Sequence, residues 1–149
     1  MNNIRISVKA IILSDNNILL TKNEDEEGYF YLYPGGGQEH GETMHDTLKR
    51  ECIEELGKEV EIGPLLHIRE YIGKNHERAA FDSHFHQVEH YFTCTIKKDR
   101  PRPPTNPDSH QVGIEWIPLN ELPNCRVYPK NLTQHINKQT APTYLGDIN

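Results

Sequence analysis

Apolar positions along this chain come in short runs whose period changes. Ile4 to Leu13 is dense in Ile, Val and Ala and reads as a strand. Ser14-Asp15-Asn16-Asn17 is a turn cluster, and Ile18 to Thr21 resumes the apolar character, so the two segments predict a hairpin. Asn23 to Gly28 is acidic and is expected to form a loop. Tyr29 to Tyr33 is a short aromatic strand that Pro34 stops, and Gly35-Gly36-Gly37 follows as a flexible backbone segment. The spacing then steps by four. Met44, Leu48, Cys52 and Leu56 form one apolar arc and predict a helix over Met44 to Leu56. Thr43 is its cap, Asp46 completes a variant of the capping box, and Gly57 supplies the left-handed stop.

The remainder alternates less regularly. Val60 to Ile72 is strand-like, with a break near Gly63-Pro64, and Gly73 to Ser83 is a polar loop. His84 to Ile96 carries Val88, Phe92, Cys94 and Ile96 on one parity, as a strand with one buried face does. Lys97 to Ser109 holds four prolines and reads as a surface arm. Gly113 to Ile117 is a short strand around the only tryptophan, Pro118 to Leu122 resembles a helix start, and Lys130 to Lys138 is a weaker helix. The last eleven residues look like a tail. Neither a repeat nor a linker divides the chain, so 1–149 is expected to form one domain of the α+β class.

Charge and cysteine usage narrow the partners. The net charge of −6 supplies no basic stripe, which argues against an extended nucleic-acid surface. The N-terminal residues lack the apolar core of a signal peptide, and no apolar run approaches the length of a membrane span. Three cysteines at wide spacing, without a CxxC, suggest neither a disulfide framework nor a thiolate zinc site, and a cytoplasmic location is expected. Asn131-Leu132-Thr133 is then a chance match to a glycosylation sequon. An acidic protein still binds phosphates when metal ions lie between the two negative partners.

The predicted helix points to that chemistry. On a wheel, Glu51 and Glu55 fall within roughly 40° of each other, with Glu54 flanking them on the far side from the apolar arc, so that the acids line the edge that borders the buried face. Like charges at this spacing repel, and the C-terminal half of a helix disfavours negative charge. A solvated acidic face is the simpler reading of charge alone. A glycine run directly before the helix favours the other one, in which hard divalent cations such as Mg²⁺ share the carboxylates with substrate phosphates.

Gly36, Glu42, Arg50, Glu51, Cys52, Glu54, Glu55 and Gly57 also stand at the spacing of the Nudix box. Only Lys58 departs, where an apolar residue is usual. Tyr31 to Gly36 resembles the approach to that box, and Glu115 to Leu122 resembles the family's late Trp strand and following turn. The resemblance implies an α/β/α sandwich with a mixed sheet. It implies hydrolysis, with Mg²⁺ or Mn²⁺, of a nucleoside diphosphate linked to another moiety. By position, Glu51 and Glu55 would be principal metal ligands, Glu54 a further ligand or the base, and the Gly35 or Gly36 carbonyl part of the shell. Arg50 would orient the carboxylates, with Glu42 as its partner. A base from outside the box would come from Asp108, His110 or Glu115.

The substrate stays open between ADP-ribose-type and (d)NTP-type nucleotides, and a homodimer is possible. A non-catalytic Nudix-like nucleotide sensor is the alternative. His84, His86 and His90 share one strand parity and read as a sheet face near substrate more readily than as a metal site. Tyr29, Phe30, Tyr31, Tyr33, Phe81 and Phe85 are candidates for stacking on a base. Cys52 reads as core packing.

Overall fold

The computed structural model describes residues 3–98, 103–136 and 141–149. Strands β1 (Arg5–Ser14) and β2 (Asn17–Asp25) form the expected hairpin. Asp15 and Asn16 take positive φ at its tip, a conformation their short polar side chains tolerate. β3 (Gly28–Leu32) and β4 (Gly35–Gly37) follow, then helix α1 (Met44–Leu56) and β5 (Glu59–Ile72). Next come α2 (Ala79–Asp82), β6 (His86–Lys98) and β7 (Gln111–Pro118). A 3₁₀ turn at Leu119–Asn124, β8 (Val127–Tyr128), α3 (Lys130–Thr133) and β9 (Tyr144–Asp147) complete the order.

The strands make a curled mixed sheet in two halves. One half runs β4-β1-β6-β5-β9, with β1 parallel to β6 and β9 parallel to β5. The other runs β7-β2-β3-β8. They join where the ends of β1 and β2 pair at Leu13 and Ile18. β1 is central and covered on both faces, which explains its nearly continuous apolar run. Val8, Ala10 and Ile12 pack with Leu48, Cys52 and Leu56 of α1. On the opposite face, Ile11 packs with Tyr33, Tyr91, Leu122 and Leu132. The sandwich expected from the sequence is therefore present, with α1 as one helical layer and the 3₁₀ turn and α3 as a thin second one. Burying a Leu such as Leu48 contributes roughly 1.5–3 kcal/mol, and Leu48, Cys52 and Leu56 hold α1 in one rotational phase about its axis because the three share a face.

Several segments differ from their sequence reading. The stretch from Asn23 to Gly28 is the end of one strand, a tight turn and the start of the next. Buried Asn23 donates to the Thr21 carbonyl at 3.2 Å and hydroxyl at 3.1 Å, and Arg126 neutralises Asp25, so the acids do not force a loop. The three glycines are a strand, because β1 lies so close that a Cβ on Gly35 would stand 2.0 Å from the Val8 carbonyl oxygen. The expected tail contains β9, tied down by Asp147 accepting from the Ile72 N–H at 2.9 Å and by Arg69 donating to the Ile148 carbonyl at 2.6 Å.

β6 is buried on both parities. Glu89 and Tyr91 sit opposite Phe92 and Cys94, and Glu89 survives burial because Arg69 and the Tyr91 hydroxyl each reach it at 2.6 Å. The polar loop at Gly73 to Ser83 contains a 3₁₀ turn, Gly73–Asn75, and α2. The weaker helix is shorter than expected, ending at Thr133 as a four-residue helix, and its residues 137–138 lie outside the described residues. Residues 99–102 of the proline-rich arm do as well. Its remainder docks on α1, where the Asn106 N–H donates to the Glu54 carbonyl at 3.0 Å.

Candidate active site

The caps of α1 set where its acids point. The Thr43 hydroxyl accepts from the Asp46 N–H and the Asp46 carboxylate accepts from the Thr43 N–H, each at 3.1 Å, while Gly57 ends the helix at φ 66°. With Leu48, Cys52 and Leu56 committed to the core, Glu51, Glu54 and Glu55 fall on the edge that meets β4. The glycines of β4 make room for them. A Cβ on Gly36 would stand 2.5 Å from a Glu51 carboxylate oxygen. Gly35 donates its N–H to the Glu55 carboxyl at 2.8 Å.

Arg50 organises three of the box acids. Its Nε and Nη2 donate to the two oxygens of Glu42 at 2.7 and 2.9 Å, a fork-to-fork pair. Nη1 donates to Glu51 at 3.0 Å and to Glu54 at 3.3 Å, and Nη2 also reaches the Gly37 carbonyl at 3.3 Å. The Arg50 pair, with help from the Glu39 N–H and Thr47, holds the Glu42 carboxyl down at about 2. One guanidinium facing three carboxylates leaves the cluster with excess negative charge.

Glu55 is the most perturbed acid of the group. It is 4% exposed, and burial pushes its carboxyl up to about 8; the Lys9 charge and the Gly35 N–H work against that rise, and Asp108 adds to it. Burial likewise raises Glu51, against the pull of Arg50.

Among the described residues, no three His, Cys, Asp or Glu side chains converge as they stand on one point that would hold an ion. Glu51 and Glu54 turn toward Arg50, and Glu55 turns toward Gly35. The donor set nonetheless suits a divalent cation. It consists of hard carboxylate and peptide oxygens, and a bound cation would offset the burial that raises the Glu55 carboxyl. Lys9 supplies some positive charge. Its ammonium lies 3.3 Å from the Tyr33 carbonyl and 3.4 Å from the Gly35 carbonyl, the oxygen expected to join a metal shell. Lys9 escaped the sequence reading because it sits inside an apolar strand run, and only the Lys9–Gly35 register brings it to the site.

The three candidates for a base separate. Asp108 reaches Glu55, with which it shares a hydrogen bond, and Gln111 fixes the approach by donating its side-chain amide to the Glu55 carbonyl and its backbone N–H to the Asp108 carbonyl, each at 2.9 Å. His110 lines the adjacent cleft and its carbonyl accepts from the Glu24 N–H at 3.0 Å. Glu115 is engaged elsewhere, accepting from the Tyr31 hydroxyl at 3.2 Å with Lys22 at 3.6 Å.

A cleft of about 1030 Å³ opens beside Asp108. Phe30 and Tyr128 form one wall, edge to face at 6.2 Å, and Phe81 and Phe85 stand on another. Of the Tyr29–Tyr33 aromatics only Phe30 lines it. Tyr31 and Tyr33 belong to the core, and Tyr29 carries Lys22 over its ring at 4.1 Å. The strand histidines do not converge. His86 pairs with Glu70 at 2.9 Å, His90 faces the Ser7 carbonyl at 3.4 Å, and His84 lies against Phe85.

A curled mixed sheet, a helix edge of carboxylates held by an arginine, and a glycine strand beneath them define a site of the Nudix class. Comparison with known proteins agrees. The profile of the NUDIX domain matches residues 3–140, and the chain belongs to that family. It is 30% identical over 125 residues to nucleoside diphosphate-linked moiety X motif 6 of Xenopus laevis, covering 81% of this chain and 53% of that protein. It is 43% identical over 61 residues to the nucleoside triphosphatase NudI of an Enterobacter strain, covering 39% and 43% of the two chains. The chain thus spans about half the length of the curated relatives it matches. Among solved structures, a MutT Nudix hydrolase from Burkholderia pseudomallei superposes with a TM-score of 0.71 at 25% identity, over 91% of this chain and 99% of that one. An ADP-ribose pyrophosphatase from Streptococcus suis shares the fold at a TM-score of 0.64 and 18% identity, over 96% and 98%.

Proposed function

We propose that the protein is a metal-dependent pyrophosphohydrolase that cleaves a nucleoside diphosphate linked to another moiety, either a nucleotide sugar such as ADP-ribose or a (d)NTP. The observation that carries this reading is the excess of carboxylates, Glu51, Glu54 and buried Glu55, joined through Asp108 to an aromatic cleft. Glu51, Glu54, Glu55 and the Gly35 carbonyl would hold Mg²⁺ or Mn²⁺. The bound ion would polarise a phosphoryl oxygen and make water a better nucleophile. Arg50, locked by Glu42, keeps Glu51 and Glu54 aimed, and Gly36 leaves space for Glu51. Asp108 is the base outside the box that the geometry favours over His110 and Glu115, since it alone of the three touches a box carboxyl. It would take a proton from the attacking water as the P–O anhydride bond breaks. Phe30, Tyr128, Phe81 and Phe85 offer apolar faces to the base. Among the described residues no helix is long and apolar enough to cross a membrane, and the three cysteines are unpaired, which supports a reducing, cytoplasmic setting.

The test is a panel of nucleoside triphosphates, sugar nucleotides and dinucleotides, assayed with Mg²⁺, with Mn²⁺ and in EDTA. Turnover of at least one class is expected, lost in EDTA and reduced by roughly a hundredfold or more in Glu54→Gln and Glu55→Gln. Nucleotide binding with no turnover under any metal would overturn catalysis in favour of a sensor.

A further inference from the structure

The cleft beside the box acids is a poor host for phosphates along most of its wall. Asp25, Glu26, Glu27, Asp82 and Asp108 line it against three arginines. Two of those arginines are already neutralised. Arg126 holds both oxygens of Asp25 at 2.8 Å and lies 3.4 Å from Glu27. Arg78 stands 3.7 Å from Asp82. Arg5, at the start of β1, is the exception. It is exposed to the cleft, and among the described residues no acid pairs with it.

Arg5 is nonetheless placed rather than loose. Its guanidinium rests against Gly37, where an added Cβ would come within 2.5 Å of both Nε and Nη2. The carbonyl of the same glycine accepts from Arg50 at 3.3 Å. One residue of β4 thus carries a guanidinium on each side, Arg50 tied to the helix acids and Arg5 turned to the cleft. Gly37 has no left-handed backbone to explain its identity. The space a side chain would fill is taken by Arg5.

We propose that Arg5 receives a phosphate of the substrate and so sets its direction in the cleft, with the phosphates along β4 and the base toward Phe30 and Tyr128. This rests on the reading of the cleft as a nucleotide site. A guanidinium with free donors matches two phosphate oxygens at once, where a lysine offers a point charge. An exposed, unpaired arginine contributes little to folding, so its loss acts on ligand binding alone. In an otherwise acidic cleft, it determines which end of a nucleotide is tolerated where.

The test uses the full chain with Mg²⁺ and the non-hydrolysable α,β-methylene analogues of ADP and GDP, read by calorimetry alongside the corresponding nucleosides. Arg5→Ala is expected to weaken binding of the better analogue roughly tenfold. Nucleoside binding and Tm should not change, and KM should rise with kcat within about threefold. Arg5→Lys falls between the two. Gly37→Ala displaces the guanidinium, so it weakens analogue binding in the wild-type background and has no further effect in Arg5→Ala. Analogue binding in Arg5→Ala equal to wild type, with turnover of the wild-type protein intact, overturns the role of Arg5 and leaves the hydrolase reading standing. A wild-type protein that neither binds the analogues nor hydrolyses any of the panel overturns both.

Discussion

Glu55 makes the metal-free protein sensitive to pH in an unusual direction. Its carboxyl is ordinarily half-ionised at 4.5 and is pushed up to about 8, chiefly by burial. Between those values the native state keeps a proton that the unfolded chain releases. Stability contributed by the protonated group is complete below pH 4.5, and it is lost as pH rises through about 8. Each pH unit in that window removes about 1.4 kcal/mol, or about 5 kcal/mol across it, a large share of a typical domain's stability.

Glu55→Gln isolates the effect. The amide oxygen still accepts from Gly35 and the amide nitrogen still donates to Asp108, so glutamine copies the protonated acid without ionising. Urea denaturation in EDTA from pH 5 to pH 8 should show wild type and variant close together at pH 5. At pH 8 the variant should be the more stable, by up to about 5 kcal/mol. Mg²⁺ should recover stability for wild type at pH 8 and do little for the variant. Parallel stability-versus-pH curves for the two proteins would refute the assignment of the proton to Glu55.

Two further outcomes follow from the packing. Gly36→Ala places a Cβ 2.5 Å from a Glu51 oxygen, so turnover should fall roughly tenfold or more, while circular dichroism and Tm report an intact fold. Glu89→Gln leaves Arg69 buried without its counter-charge and should cost roughly 3–5 kcal/mol in urea denaturation. Because Arg69 also holds the Ile148 carbonyl, hydrogen exchange in Glu89→Gln should quicken first in β9.

Helix α1 was legible to the residue. Thr43, Asp46, the four-residue apolar step and Gly57 are local signals, and each acts within a turn of its own position. The Glu51–Glu54–Glu55 edge followed from the same periodicity, since a helix with one committed apolar face has only one place left for its acids. β1 and the start of β2, Ile18 to Thr21, were also plain, because a strand segment buried on both faces is largely apolar, whereas the polar end of β2 read as a loop. These features depend on neighbours in sequence, and the sequence carried them by itself.

The remainder depended on neighbours in space. Nothing near Tyr144 to Asp147 announces a strand; it exists because β5 offers an open edge and Arg69 and Ile72 offer partners more than seventy residues away. The glycine run looked flexible until β1 was laid against it. Lys9 and Arg5 looked like ordinary strand positions until β4 placed Gly35 and Gly37 beside them. Asp108, His110 and Glu115 were indistinguishable in a polar stretch, and only the path of the chain beside Glu55 separated the first from the others. Local periodicity determined the helix and its carboxylates; strand pairing, which joins residues without regard to their separation, decided which cations and which outside acid meet them.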